Sequence, residues 1–391
     1  MKEILTTEAI PIKLWLDDIE EGALQQARNL ANLPFAFHHI AIMPDAHFGY
    51  GMPIGGILAT DDVIIPNAVG VDIGCGVCAV KTSLSAIDRS QLKQVMKAVR
   101  QTVPLGFKHH SKPVRVQLMP TLEKGAIKHL PIVQQEYENA RTQAGTLGGG
   151  NHFIEFQQAR DQTIWIMVHS GSRNLGFKVA HHYNKIAVGL NKKRRRPIPP
   201  SWQLDSLPID SKEGQCYLGE MSYCVQFAKK NRLLMLDRIQ EALLETVSSD
   251  IRFDSPVNIA HNYAAAESHF GKKVIVHRKG ATRAYPDEIG VIPGSQGTTS
   301  YIVSGKGNPD SFCSCSHGAG RKLGRKQAQK QLDLDKEKKK LEQQGILHAV
   351  RRRRDLEEAA GAYKDIEKVI RLQEDLVDIL EILQPLAVIK G

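Results

Sequence analysis

The feature that most constrains this chain is a pair of apolar runs cut at short intervals by glycine: HIAIMPDAHFGYGMPIGGILAT over 39–60 and NAVGVDIGCGVCAV over 67–80. A helix loses roughly 0.5–1 kcal/mol at each interior glycine, so these runs are poor helices. Short aliphatic and β-branched stretches bounded by glycine and proline are what a buried strand requires. The runs therefore predict strands joined by tight turns. TIWIMVHS (163–170) and KKVIVHRKG (272–280) add two more, each ending in polar residues that a strand would deliver to a site.

Helical periodicity covers 16–33, 88–103 and 216–248. The stretch 176–196 begins helical and ends in the basic run Lys192-Lys193-Arg194-Arg195-Arg196, followed by prolines that make it an exposed loop. From 321 to 384 the chain is highly charged and is expected to be mostly helical. The expectation is an α+β fold: one large domain over 1–391, with a strand-rich catalytic core covered by helices and a helical C-terminal region. No stretch approaches the roughly 18 apolar residues needed to cross a bilayer. The opening MKEILTTEAIPIKLW has early acids and no apolar core, so it does not read as a signal peptide, and cytoplasmic residence is expected. Six cysteines in such a chain are free, metal-binding or reactive rather than paired. A net charge of +10 suits a polyanionic partner, although much of the excess sits in the 192–196 run and in Arg351-Arg352-Arg353-Arg354. Each run reads equally as a solvated face or a nucleic-acid contact.

Of fifteen histidines, five stand beside glycine, asparagine or acidic residues at the ends of the expected strands. They are His47 in PDAHFGYG, His152 in GGGNHFIE, His169 in VHSGSR, His261 in AHNYA and His317 in CSCSHGAGR. Nine others, His38, His39, His109, His110, His129, His181, His182, His269 and His348, sit in polar or helical settings and read as surface or structural residues. Asp72 and Cys75, three apart on the glycine turn of GVDIGCG, can converge on one ion. Thiolate, imidazole and carboxylate together suit a borderline divalent metal such as Mn²⁺, Fe²⁺, Co²⁺ or Zn²⁺ rather than Ca²⁺. Cys75 and Cys78 also have the spacing of half a zinc knuckle, but no second pair of that spacing completes one. Three glycine-rich segments, 147–151, 292–297 and 317–321, could cradle phosphate through backbone N–H groups. The P-loop signature and the lysine motif of classical nucleotidyltransferases are both missing.

The blocks MPDAHFGYG, AVGVDIGCG, LGGGNHFIE, VHSGSR, HNYA, RKGA, IPGSQG and SFCSCSHGAGR, in that order, resemble the signature blocks of the RtcB family of RNA-splicing ligases. The resemblance runs from about residue 4 to Lys390-Gly391. It implies a GTP- and Mn²⁺-dependent ligase that joins an RNA 3′-phosphate or 2′,3′-cyclic phosphate end to a 5′-hydroxyl end, in tRNA splicing or RNA repair. It further implies two Mn²⁺ ions held by Asp72, Cys75, His152, His169 and His261, with Cys75 able to bridge them. His317 would be the guanylylated nucleophile, which agrees with the missing lysine motif. The guanylate pocket would draw on Asn151, His152, Phe153, Ile154, Glu155, His261, Asn262, Pro293, Gly294, Ser295, Gln296, Ser300, Gly318, Ala319, Gly320, Tyr363 and Lys390. In it Glu155 would accept from guanine and Tyr363 would stack. An archease-type activating protein is an implied partner, and a membrane is not.

Two departures stand out. Tyr50 occupies a position where the family usually has lysine, and Ala260 one where many members have a second histidine. Neither touches the expected metal set. Two rival classes remain at this level. A metal-dependent phosphatase or nuclease would need only the metal ligands, and a non-catalytic RNA-binding relative would be expected to have lost them.

Overall fold

In the computed structural model, which describes residues 1–121 and 129–391, the glycine-broken runs become strands of two large sheets. The first has six strands in the order Glu3–Leu5, Ile12–Leu14, Ala36–His47, Ile54–Thr60, Lys272–Lys279 and Asn262–His269. The second has seven, in the order Val257–Ala260, Gly76–Lys81, Ile164–Ser170, Phe153–Ala159, Val377–Lys390, Ser300–Gly305 and Ile289–Ile292. Neighbours are antiparallel except Ile12–Leu14 beside Ala36–His47. The chain passes from the second sheet to the first between Ala260 and Asn262, with His261 alone at the crossing.

Side chains on the second sheet sort by the two-residue period of a strand. Val77, Ala79, Trp165 and Met167 fill one face, together with Val291, Ile302 and Leu383. Cys78, Val80, Ile154, Phe156, Ile166 and Val168 fill the other, where two helices cover them. The helix Arg89–Thr102 contributes Leu92, Val95, Met96 and Val99, a four-residue stripe at helical spacing. Its start is fixed by a capping box: Asp88 accepts from the N–H groups of Ser90 and Gln91, and Gln91 returns a bond to the Asp88 N–H. The helix Lys212–Thr246, capped by Ser211, adds Met235, Leu236, Ile239 and Leu243. Each such side chain, fully buried, stabilises by about 1.5–3 kcal/mol.

The α+β class, the helices at 16–33, 88–103 and 216–248, and the strands at 163–170 and 272–280 are all present within a few residues of their expected bounds. The C-terminal region departs from expectation. It is helical over Arg325–Gln331, Leu334–Gln343 and Ile366–Arg371, turns through short 3-10 segments at 353–362, and ends in the strand Val377–Lys390. That strand lies between two others inside the sheet, and Pro385, which has no N–H to give, sits where the pairing register shifts. Among the described residues no helix is long and apolar enough to cross a membrane.

Candidate active site

Three loops and one strand converge where the sheets meet. Asp72 and Cys75 lie on the turn entering the strand Gly76–Lys81, and His169 is near the end of Ile164–Ser170. His152 immediately precedes Phe153–Ala159, and His261 is the crossing residue. Cys75 Sγ lies 3.4 Å from His152 Nε2 and 3.3 Å from His169 Nε2, and His152 Nε2 is 3.1 Å from Asp72 Oδ2. Two trios, Cys75 with His169 and His261, and Asp72 with Cys75 and His152, each bring their ligand atoms within 4.8 Å of one another. Both share Cys75, and the five side chains together could hold a metal.

The backbone holds this cluster tightly. His261 N–H donates to the Cys75 carbonyl (2.8 Å) and Gly74 N–H to the Asn262 carbonyl (2.8 Å). Two polar residues of the long helix brace the turns from behind. The buried Arg232 guanidinium donates to the carbonyls of Gly74 (2.9 Å) and Ser170 (2.8 Å) and to Asn258 Oδ1 (2.8 Å). Asn231 accepts from Gly145 and Thr146 N–H and donates to Thr146 O, Ser170 Oγ and Gly171 O. His152 Nδ1 donates to the Leu147 carbonyl (3.0 Å), which orients Nε2 toward Cys75 and Asp72.

The protonation states fit a cation. Burial pushes the Cys75 thiol well up, with the Asp72 charge adding to it. Burial also pushes the His169 and His261 imidazoles well down. Burial would raise Asp72 as well, but the contact with His152 outweighs it and holds the carboxyl low. His261 Nδ1 is buried with no hydrogen-bond partner among the described residues. Neutral imidazoles, a carboxylate and a thiol that a divalent ion would deprotonate are the donors such an ion needs.

His317 adjoins the cluster, its ring 4.7 Å from that of His261. It follows the short strand Ser314–Ser316, and its Nδ1 lies 2.6 Å from Oδ2 of the fully buried Asp45, which also accepts from His317 N–H (3.1 Å). Burial alone would raise the Asp45 carboxyl, but the His317 contact outweighs it and lowers it. An Nδ1–H donated to Asp45 leaves Nε2 as a free lone pair. Gly320 has φ +70°, and a Cβ there would lie 2.1 Å from the Asp45 carbonyl oxygen, so only glycine lets the loop close over Asp45.

From His317 a cavity of about 840 Å³ opens, lined by Asn151, Phe153, Glu155, His169, Pro293 to Gln296, Gly318 to Arg321, Arg325, Glu358, Tyr363, Val388 and Lys390. Glu155 is buried, and burial raises its carboxyl to about 8, opposed in part by the Gln157 amide and Lys390. Gln157 Nε2 donates to Glu155 Oε2 (2.6 Å) and Ser300 Oγ (2.9 Å). Across the cavity, Glu358 gathers Arg321 (3.1 Å), Arg325 (3.5 Å), Lys390 (3.7 Å) and the Tyr363 hydroxyl, and its carbonyl accepts from Gln296.

Most residues expected at the site are thus together, and a few lie behind it. Ile154 has the opposite parity to Phe153 and Glu155 and is buried in the helix-covered core, so it packs rather than lines the cavity. Ser300 is fully buried beneath it, accepting from Gly294 N–H. Asn262 ties the metal turn to the other sheet, donating to the Asp72 carbonyl and accepting from Gly280 N–H. His47 lines the cavity near His317 but belongs to neither trio. Near Tyr50 the buried Lys279 Nζ donates to the Tyr50 and Asn67 carbonyls, and burial lowers this amine to about 7, so it is not a fixed replacement for an exposed lysine at position 50. Asp45, Arg232, Arg321, Arg325 and Glu358 were not singled out from the sequence.

This fold and site define a class: an α+β protein with the donor set for borderline divalent cations beside a cation-rimmed cavity. The family model described as tRNA-splicing ligase RtcB matches residues 26–130 and 115–391. The chain is similar to the RNA-splicing ligase RtcB of Escherichia coli (strain K12), with 36% identity over 420 residues covering 100% of this chain and 99% of that one. It is similar also to the tRNA-splicing ligases RtcB of Thermococcus kodakarensis, 33% identical and covering 98% of this chain and 95% of that one, and Methanococcus maripaludis, 34% identical with 97% and 93% covered. The chain belongs to the RtcB family of RNA-splicing ligases and is an enzyme.

Proposed function

We propose that this protein is a GTP- and Mn²⁺-dependent RNA ligase that joins 3′-phosphate or 2′,3′-cyclic phosphate ends to 5′-hydroxyl ends, in tRNA splicing or RNA repair in the cytoplasm. The observation that carries this reading is His317: a histidine held through Nδ1 by a buried carboxylate, in contact with a metal-ligand cluster, at the mouth of a cavity with a buried acid. Neither rival class needs that arrangement. A phosphatase would leave the cavity and Glu155 without a role, and an inactive relative would have no reason to keep all five ligands.

A 3′-phosphate has no leaving group, and transfer of GMP supplies one. His317 Nε2 attacks the α-phosphorus of GTP; the P–N bond forms, the bond to the β-phosphate breaks, and pyrophosphate leaves. Asp45 holds the Nδ1 proton and stabilises the charge that develops on the ring. An oxygen of the RNA 3′-phosphate then attacks the same phosphorus and breaks the P–N bond, giving a 3′-guanylylated RNA. The 5′-hydroxyl finally attacks the RNA phosphorus, GMP departs, and the 3′,5′-phosphodiester is complete. Asp72, Cys75, His152, His169 and His261 would hold two Mn²⁺ ions, which supply Lewis-acid charge to the phosphate oxygens. Ionised Glu155 would accept from guanine N1 and N2, a pattern adenine cannot offer. Tyr363 would stack on the base, and Lys390, Arg321 and Arg325 would neutralise phosphate. An archease-type protein is a candidate activator of the cycle.

Incubation with labelled GTP and Mn²⁺ should give an acid-labile protein–GMP adduct that His317→Ala abolishes. Supplied with RNA already guanylylated at its 3′ end, His317→Ala should still join it to a 5′-hydroxyl partner. A variant dead on that RNA with full metal occupancy would place His317 in the sealing step and overturn the covalent role.

A further inference from the structure

A second, larger groove of about 2560 Å³ reaches the metal centre from the side of Asp72 and His152. It is lined also by Arg100, Phe107, Arg351, Arg352 and Arg354. The arginine run divides here. Arg353 turns away, its guanidinium donating to the Gln329 (2.8 Å) and Lys330 (3.3 Å) carbonyls at the end of the helix Arg325–Gln331. The other three are exposed on the groove. Asp355 is spent on the Arg351 and Arg352 backbone N–H groups and lies 3.5 Å from Arg354. Among the described residues no carboxylate stands within ion-pair distance of the Arg100, Arg351 or Arg352 guanidinium groups. Burial, and then the charge of Arg351, hold Arg100 below its ordinary value, so like charges are set side by side with no internal counterion. Phe107, 98% exposed, projects an uncovered ring into the same groove.

Unpaired guanidinium groups repel one another unless a polyanion lies among them, and an uncovered aromatic ring beside them offers a stacking face. We propose that this groove is the track of one single-stranded RNA arm, its phosphates on Arg100, Arg351, Arg352 and Arg354 and a base on Phe107, so that its terminus arrives at Asp72 and His152. The inference rests on the RNA ligase reading above. The other basic run takes no part in it: Lys192 lines a separate pocket beside Tyr50, and Arg194 bonds to Ser206 Oγ (2.9 Å).

The test uses the full chain and fluorescent ten-nucleotide RNAs, one ending in a 3′-phosphate and one beginning with a 5′-hydroxyl, with anisotropy read across a salt series without GTP. Arg351→Gln/Arg352→Gln/Arg354→Gln should weaken at least one RNA tenfold or more and flatten its log–log salt slope by about 2, at about 0.7 per phosphate contact. Phe107→Ala should weaken binding about tenfold with the slope unchanged. Lys193→Gln/Arg195→Gln/Arg196→Gln, an equal charge loss on the other run, should change binding less than twofold. Equal losses from the two runs, or a groove variant that binds both RNAs as wild type does, would overturn the track. The GMP adduct separates the two ideas. Groove variants that form it normally but fail to bind RNA support the track, whereas a wild-type protein that forms none refutes the ligase reading instead.

Discussion

Glu155→Gln removes a charge that the folded protein resists forming. Burial takes this carboxyl to about 8, and Gln157 and Lys390 offset only part of that rise. The native state therefore keeps a proton that the unfolded chain, with an ordinary carboxyl near 4.5, releases. The group's contribution to stability is full below about pH 4.5, declines as pH rises toward 8, and is constant beyond. Over that span, at about 1.4 kcal/mol per pH unit, the wild-type protein loses about 5 kcal/mol to this one residue. Glutamine cannot ionise, so urea denaturation from pH 5 to 8.5 should show a flatter stability profile for the variant, the two curves diverging with rising pH. Guanine recognition makes the same proton visible a second way. If only ionised Glu155 accepts from N1 and N2, GDP affinity should weaken tenfold for each pH unit below about 8 in wild type, and Glu155→Gln should bind weakly without that slope. Calorimetric titration with GDP in the absence of metal reads this directly. Parallel stability profiles would refute the buried-proton argument, and a pH-independent GDP affinity would remove Glu155 from the base pocket.

Cys75→Ala deletes the atom common to both ligand trios while opening little space, so it should cost at most about 1–2 kcal/mol of stability and abolish the thiolate-to-metal absorption of a Co²⁺-loaded protein. An unaltered Co²⁺ spectrum would exclude Cys75 as a ligand. Arg232→Met keeps the bulk of a side chain that braces both metal turns but strands the buried Gly74 and Ser170 carbonyls, at about 1–3 kcal/mol each. Urea unfolding should register a loss of about 3–5 kcal/mol, and a loss below 1 kcal/mol would show that solvent replaces the guanidinium.

What could be read from the sequence was local in origin. A cysteine and an aspartate on one glycine turn, and histidines at the ends of β-branched runs, announce themselves by their neighbours, and those residues do converge. Asp45 could not be found in that way, because its role comes from His317, far along the chain. Arg232 and Asn231 lie in a helix whose periodicity explains most of its residues, so two polar residues bracing distant turns look like ordinary variation. Glu358 follows four arginines in a stretch that reads as a charged helix, and only the 3-10 turns there bring it to the cavity. The last strand misleads for a related reason. In DILEILQPLAV the apolar residues fall at helical as well as strand spacings, and the long-range pairing on both sides of Val377–Lys390 decides between them. Treating Asn151 to Glu155 as one block overlooked the alternation that turns Ile154 to the opposite face.

At the shortest of the chain's passages between the two sheets, His261 alone separates a strand of one from a strand of the other, and it is also a candidate metal ligand. Coordination bonds tolerate displacements of only about 0.2 Å, far less than packed side chains can absorb. With the other ligands carried by the second sheet and its turns, any shear at the seam becomes a change in coordination geometry. A cation seated there would act as a strain gauge for the whole molecule. Substitutions buried deep in either sheet, remote from every ligand, would register first as altered cation affinity, before the protein lost measurable stability.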